Sequence, residues 1–127
     1  MSYVTLLQVA LGGAIGASLR YLTGVGTIRL FGPGFPWGTF AVNVIGSFIM
    51  GVIVVTLAHK GMTRQMAPFL MTGVLGGFTT FSAFSLDVLT IYERGDTTQA
   101  GLYAAASVFL SLAAIILGLF AARTFWS

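Results

Sequence analysis

The part of the chain best suited to chemistry is a hydroxyl-rich stretch inside a long apolar segment. Residues 76–85 read Gly-Gly-Phe-Thr-Thr-Phe-Ser-Ala-Phe-Ser. Two adjacent glycines followed by hydroxyl residues make a poor helix interior, so the pattern predicts a helix that is broken near Gly76–Thr80. Within a membrane, irregular backbone is tolerated only where it is buried in protein or lines a cavity. The carbonyl groups freed by such a break suit a small hard cation.

Two aromatic residues and one acidic residue accompany this stretch. Phe81 and Phe84 are three positions apart, so a helix places them on one face. Aromatic rings in a membrane most often only pack, but two ring edges beside hydroxyl groups can also surround a small anion without a full positive charge. Asp87 follows and is the one acid within an apolar segment. An intramembrane acid indicates a functional role, and a capping or ion-pairing role at the membrane interface fits Asp87 equally well.

Polar and small residues recur every four positions in the other apolar segments, which places each set on one helix face. The sets are Gly12, Gly16 and Arg20; Thr39, Asn43, Ser47 and Gly51; and Tyr103, Ser107 and Ser111. Small residues at this spacing let membrane helices pack closely, and we favour that role for Gly12, Gly13 and Gly16. The two serines of the last set fit close packing and an ion pathway equally well. An amide inside a membrane needs several partners, so Asn43 either clamps two helices together or faces a ligand.

The composition predicts that these residues lie in an integral membrane protein. Hydrophobic residues make up 57% of the 127 residues and charged residues 7%, whereas a soluble domain carries about 25% charged residues. Four apolar segments approach or exceed the roughly 20 residues that a spanning helix needs. They cover residues 4–23, 38–58, 66–92 and 98–122, and turn-forming or charged residues separate them at 32–36, 59–64 and 93–96. The expected fold is a single all-α domain of four transmembrane helices.

The basic residues do not specify an orientation in the membrane. Lysine and arginine near the span ends normally mark the cytoplasmic side. One side would hold Lys60, Arg64 and Arg123, and the other Arg29 and Arg94, with Arg20 near the end of the first span. Two interpretations stay open: a fixed orientation set by weak determinants, or insertion both ways up with antiparallel pairing.

Several classes of function are disfavoured by the residues present. The six basic residues are scattered singly, without the basic stripe of a nucleic-acid-binding protein. There is no cysteine, and the single histidine, His59, is expected to lie solvated in a loop without a second ligand to complete a metal site. The first apolar run lacks a cationic region before it, so we do not expect a signal peptide. No nucleophile–base pair indicates an enzyme.

The chain resembles the Fluc (CrcB) family of fluoride channels along essentially its whole length. The resemblance includes Gly12-Gly13-Ala14-Ile15-Gly16-Ala17 leading to Arg20, and Trp37-Gly38-Thr39 with Asn43. Its most specific part is residues 76–85, which match the family pattern GGxTTFSTFS at every fixed position but one. Ala83 stands where the family commonly has Thr, which removes one hydroxyl from the expected polar pathway. Asp87 stands where the family usually has Glu, which shortens the side chain that carries the carboxylate.

The resemblance implies an antiparallel, dual-topology homodimer in the cell (inner) membrane that exports fluoride passively through two pores at the subunit interface. It places Arg20 near the aqueous vestibule and Asp87 near a pore mouth. It also implies a central structural sodium ion held by the backbone carbonyls of Gly76 and Thr79. The fluoride pathway would comprise Asn43, Phe81, Ser82, Phe84, Tyr103, Ser107 and Ser111.

Two other functions remain as alternatives. A small proton-coupled exporter of cationic drugs also has four spans and dual topology, but it needs a membrane-embedded carboxylate, for which Asp87 is the one candidate. A non-transporting assembly subunit would use the polar stripes only for packing. Passive fluoride flux is favoured because the first two spans contain no acid to run a proton-coupled cycle.

Overall fold

A computed structural model describes residues 2–127, and every regular element within that range is helical. These residues form five helices that we number α1 to α5. Helix α3 consists of three continuous segments, of which the middle one is a π-helix, and a short interruption separates it from α4. The bounds are α1 Tyr3–Phe31, α2 Trp37–Lys60, α3 Thr63–Ala67, Pro68–Leu75 and Gly76–Phe78, α4 Phe81–Glu93, and α5 Thr97–Trp126.

The ends of these helices follow from local capping chemistry. The Ser2 hydroxyl accepts a hydrogen bond from Val4 N at 3.2 Å and begins α1, and Asp96 Oδ1 accepts from Gln99 N at 3.2 Å at the start of α5. Gly61 ends α2 in a left-handed conformation (φ 66°), which glycine adopts without steric cost. Helix α2 therefore extends through His59 and Lys60, and the prediction that His59 lies in a loop is wrong. Its exposed ring stacks on Trp126 with centroids 4.7 Å apart.

The predicted interruption of the third helix is confirmed. Gly76–Phe78 remain helical, whereas Thr79 (φ −88°, ψ 159°) and Thr80 (φ −153°, ψ 123°) are extended. The Thr80 hydroxyl accepts a hydrogen bond from Ala83 N at 3.1 Å and so caps the start of α4. Only these two residues leave the helical conformation, and α4 begins directly after them at Phe81.

Three stretches of the described residues are long and apolar enough to cross a membrane: Trp37–Lys60, Thr63–Glu93 across the interruption, and Thr97–Trp126. Helix α1 is not among them, although its 29 residues exceed the length that a span needs. Five glycines and two arginines, Arg20 and Arg29, lower its average hydropathy. The outer surface of all the long helices, α1 included, is rich in exposed leucine, isoleucine and phenylalanine, as contact with lipid requires.

Glycines set the close approach of α1 and α3. A Cβ atom on Gly16 would collide with the Val74 carbonyl oxygen of α3, and one on Gly12 would lie 2.5 Å from the Phe69 carbonyl oxygen. The packing role predicted for these two glycines is therefore confirmed. A Cβ on Gly13 would meet nothing within 4 Å, but the Gly13 carbonyl oxygen lies 2.7 Å from the Cβ position of Gly77. The close approach at this point therefore requires a glycine at Gly77, and the packing role predicted for Gly13 itself is not observed.

Candidate ion pathway

Asn43 holds the interruption of the third helix in place. Its Nδ2 donates to the Thr80 carbonyl oxygen at 3.0 Å, and its Oδ1 accepts from Thr80 N at 2.8 Å. One side chain of α2 thereby satisfies both backbone groups of a residue that has left the helix, as buried polar groups in a membrane require. Of the two roles considered for Asn43, the helix-clamping one is observed. A contact with a passing ion stays a prediction, and the residue also lines a cavity.

The interruption leaves backbone carbonyls without their usual helical donors. In a continuous helix Thr80 N would donate to Gly76 O and Ala83 N to Thr79 O, but these donors are bonded to Asn43 Oδ1 and Thr80 Oγ1 instead. A third carbonyl, that of Gly77, accepts a hydrogen bond from Arg20 Nε at 3.0 Å. Arg20 is thus partly buried against the interruption. The Gly76 and Thr79 carbonyl oxygens remain as candidate cation ligands.

A cavity of about 300 Å³ lies beside the interruption, between α2, α4 and α5. Its walls are mainly apolar, with a few amide and hydroxyl groups and no charged side chain. The hydroxyls of Ser107 and Ser111 line it, and neither has a hydrogen-bond partner among residues 2–127 although both oxygen atoms are buried. A buried hydroxyl that makes no hydrogen bond within the protein can donate one to a group that enters the cavity. The lining residues are Asn43, Gly46, Ser47, Met50, Thr79, Thr80, Phe81, Phe84, Ser107, Val108, Ser111 and Ile115.

Three aromatic rings run from this cavity into the protein. Phe81 and Phe84 have centroids 5.5 Å apart with planes tilted by 56°, and Phe84 lies 5.4 Å from Tyr103. Phe84 is 9% exposed and Tyr103 1%, whereas Phe81 is 77% exposed. The predicted pairing of Phe81 with Phe84 on one face is confirmed. The exposed ring of Phe81 forms an open side of the cavity.

A second cavity, of about 270 Å³, lies at the end of the molecule where the loop joins α1 to α2. Asp87 is among its lining residues. The Tyr103 hydroxyl donates to Asp87 Oδ2 at 3.1 Å. Tyr103 therefore connects the two cavities, because its ring contacts Phe84 of the first and its hydroxyl contacts Asp87 of the second. The lining includes Thr27, the loop 33–36, Thr39, Thr90 and Arg94.

The structure brings together most, but not all, of the residues predicted for the pathway. Asn43, Phe81, Phe84, Ser107 and Ser111 surround one cavity. Tyr103 joins that cavity to Asp87.

Ser82 and Arg20 lie outside this group. The exposed Ser82 hydroxyl is 3.4 Å from Thr80 Oγ1, and Arg20 contacts the far side of the interruption rather than either cavity. Sequence reasoning missed Thr80 as the residue that receives the Asn43 clamp. A threonine before an apolar helix is a recognisable N-cap and was the available indication.

Comparison with known proteins identifies the family. The profile described as "CrcB-like protein, Camphor Resistance (CrcB)" matches residues 7–119. A protein of Cereibacter sphaeroides is 66% identical over 119 residues, covering 94% of each chain. A relative from Ruegeria sp. is 61% identical over 121 residues, covering 94% of this chain and 95% of its own. A relative from Mesorhizobium japonicum is 52% identical over 119 residues, covering 94% of this chain and 96% of its own. Each of the three is named "Fluoride-specific ion channel FluC".

The helices, the two cavities and the interrupted span define a multi-pass membrane protein of the channel or transporter class. The chain belongs to the CrcB family.

Proposed function

We propose that the protein is a fluoride-selective ion channel that exports fluoride passively and lowers its cytoplasmic concentration. The names of relatives with up to 66% identity support the ion and the channel activity. A channel in this family carries out no covalent chemistry, so the protein is not an enzyme. The single structural observation that carries the proposal is a pair of buried hydroxyls, those of Ser107 and Ser111, that have no hydrogen-bond partner among the described residues. They lie in a cavity whose lining residues carry no charge.

The cavity chemistry fits a small, strongly hydrated anion. Hydroxyl groups, the Asn43 amide and the ring edges of Phe81 and Phe84 can each replace part of the hydration shell. None of them carries a fixed positive charge, so the anion is bound weakly enough to leave again, as conduction requires. Asp87 and Tyr103 would form the mouth of this pathway at the second cavity.

We propose further that two copies of the chain assemble as an antiparallel, dual-topology homodimer in the bacterial inner membrane. The first cavity is open on the side of the exposed Phe81 ring, and a second copy would close it. The even distribution of basic residues between the two ends of the helices supports insertion in both orientations. Helix α1 would provide the fourth span, since its length suffices to cross the bilayer.

We propose that the Gly76 and Thr79 carbonyl oxygens hold a structural sodium ion. These oxygens fit a hard cation because their usual helical donors are bonded elsewhere. The ion would compensate these unpaired carbonyls and, in a dimer, join the interruptions of two copies. The neighbouring Gly77 carbonyl is bonded to Arg20 and would not take part.

The test is fluoride efflux from liposomes that contain the purified protein, measured with a fluoride electrode after a potassium ionophore is added. Rapid fluoride release, without chloride release and reduced in Phe81→Ile, is expected. No release from folded, dimeric protein would refute the channel function. Replacing sodium by N-methylglucamine on both sides should abolish release if the sodium proposal is correct. Crosslinking of two engineered cysteines that only antiparallel chains bring together tests the topology, and the native chain has no cysteine to interfere.

A further inference from the structure

The loop between α1 and α2 packs an aromatic side chain against the proposed pathway. Gly32 turns the chain with a φ of 79°, and Phe35 follows between two prolines. The Phe35 ring lies edge-on to Tyr103, with centroids 5.3 Å apart and an interplanar angle of 85°, and 4.6 Å from Trp37. Phe35 thus contacts the outer side of the tyrosine whose inner side contacts Phe84.

One arginine ties this loop to the turn between α4 and α5. Arg94 Nη2 donates to the Gly34 carbonyl oxygen at 2.9 Å and to Gln99 Oε1 at 3.2 Å. Gln99 is itself fixed in the first turn of α5, where its backbone amide donates to the Asp96 carboxylate. The bond to Gly34 joins residues 60 positions apart, and Gly34 directly precedes Phe35.

The bond also shapes the cavity that contains Asp87. Pro33, Gly34, Phe35 and Pro36 form one wall of that cavity, and Arg94 lies in the same lining. A glycine- and proline-rich loop without internal helical hydrogen bonds depends on side-chain anchors for its position. The bond is solvent-exposed, but its charged donor makes it stronger than a neutral hydrogen bond at the same place.

We propose that Arg94 is a positioning residue that fixes the loop 32–36 over the Asp87 cavity and thereby keeps Phe35 against Tyr103. Without this bond the loop leaves its position, Tyr103 loses one of the two rings that hold it, and the hydroxyl contact with Asp87 weakens. The expected consequence for transport rests on the proposed fluoride channel function. The consequence for the loop does not.

The test measures loop position and transport separately. The chain has two tryptophans, and in a Trp126→Phe parent the fluorescence of Trp37 reports on the loop because Phe35 packs against it. In Arg94→Met we expect clearly stronger quenching of Trp37 by acrylamide, and a fall in fluoride efflux of about tenfold, which corresponds to the loss of one charge-assisted hydrogen bond. Arg94→Lys, which keeps a charged donor, should show Trp37 quenching and fluoride efflux close to those of the parent.

The matched control is Arg29→Met. Arg29 is an exposed arginine in the last turn of α1, at the same end of the helices, and makes no side-chain hydrogen bond within the described range. Its replacement removes the same charge and should change neither readout. Unchanged Trp37 quenching in Arg94→Met would overturn the proposal, as would equal losses of efflux in both variants, which would assign the effect to surface charge. If the parent protein releases no fluoride, the proposed function fails, and the quenching comparison still decides the role of Arg94.

Discussion

Replacement of Asn43 by leucine tests whether this side chain maintains the interruption of the third helix. Leucine has a similar volume, so the change removes two hydrogen bonds to Thr80, at 3.0 and 2.8 Å, without leaving a large void. Each buried backbone group left without a partner costs about 1–3 kcal/mol, which gives an upper limit of about 6 kcal/mol. Thr80 is half-buried and lines a cavity that water can enter. We therefore expect a loss of about 2–3 kcal/mol.

The assay compares thermal unfolding in detergent with hydrogen–deuterium exchange of residues 79–84. A loss of this size lowers the unfolding midpoint by about 10 °C in a domain of this length. Exchange should accelerate at the Thr80 amide, which loses its acceptor. The matched control is Thr56→Val in the same helix, which removes the hydrogen bond from Trp126 Nε1 at 3.0 Å. Thr56→Val should lower stability but leave exchange at residues 79–84 unchanged.

One result would refute the reasoning. If Asn43→Leu unfolds at the wild-type temperature and residues 79–84 exchange at the wild-type rate, the two hydrogen bonds do not maintain the interruption. Loss of fluoride efflux in such a variant would then point to direct contact of the amide with the ion. Slow efflux together with fast exchange would instead support the clamp.

Three further substitutions separate packing from transport. Phe81→Ile should reduce fluoride efflux by about tenfold with almost no change in monomer stability, because the ring is 77% exposed; unchanged efflux would remove Phe81 from the pathway. Ser111→Ala should slow efflux measured with the fluoride electrode and leave the unfolding midpoint unchanged or slightly higher, since the hydroxyl has no partner within the described residues. Gly16→Ala should destabilise the protein by about 1–3 kcal/mol through collision with α3. Gly13→Ala should leave stability unchanged, because nothing lies within 4 Å of its Cβ position. Equal shifts of the unfolding midpoint in the two variants would contradict this packing.

Features that depend on neighbouring residues along the chain could be predicted from the sequence. The interruption after residues 76–78 follows from two local effects. The adjacent glycines weaken the helix, and the Thr80 hydroxyl takes the Ala83 amide that would otherwise bond to the Thr79 carbonyl. The close-packing role of Gly12 and Gly16 follows from their spacing on one helix face. The error at His59 had a local cause as well: charged residues ended the apolar run before the helix itself ended at Gly61.

The sequence by itself determined a helical membrane protein with a broken third helix, because hydropathy, helix propensity and capping act within a few residues. The tertiary structure decided how the polar groups are paired. Asn43 meets Thr80 across 37 positions, and Arg20 meets Gly77 across 57. Within residues 2–127, the same folding leaves the hydroxyls of Ser107 and Ser111 without hydrogen-bond partners. Such pairings depend on which helix faces which at bilayer depth, and the spacing of polar residues on a single helix contains no information about the neighbouring one.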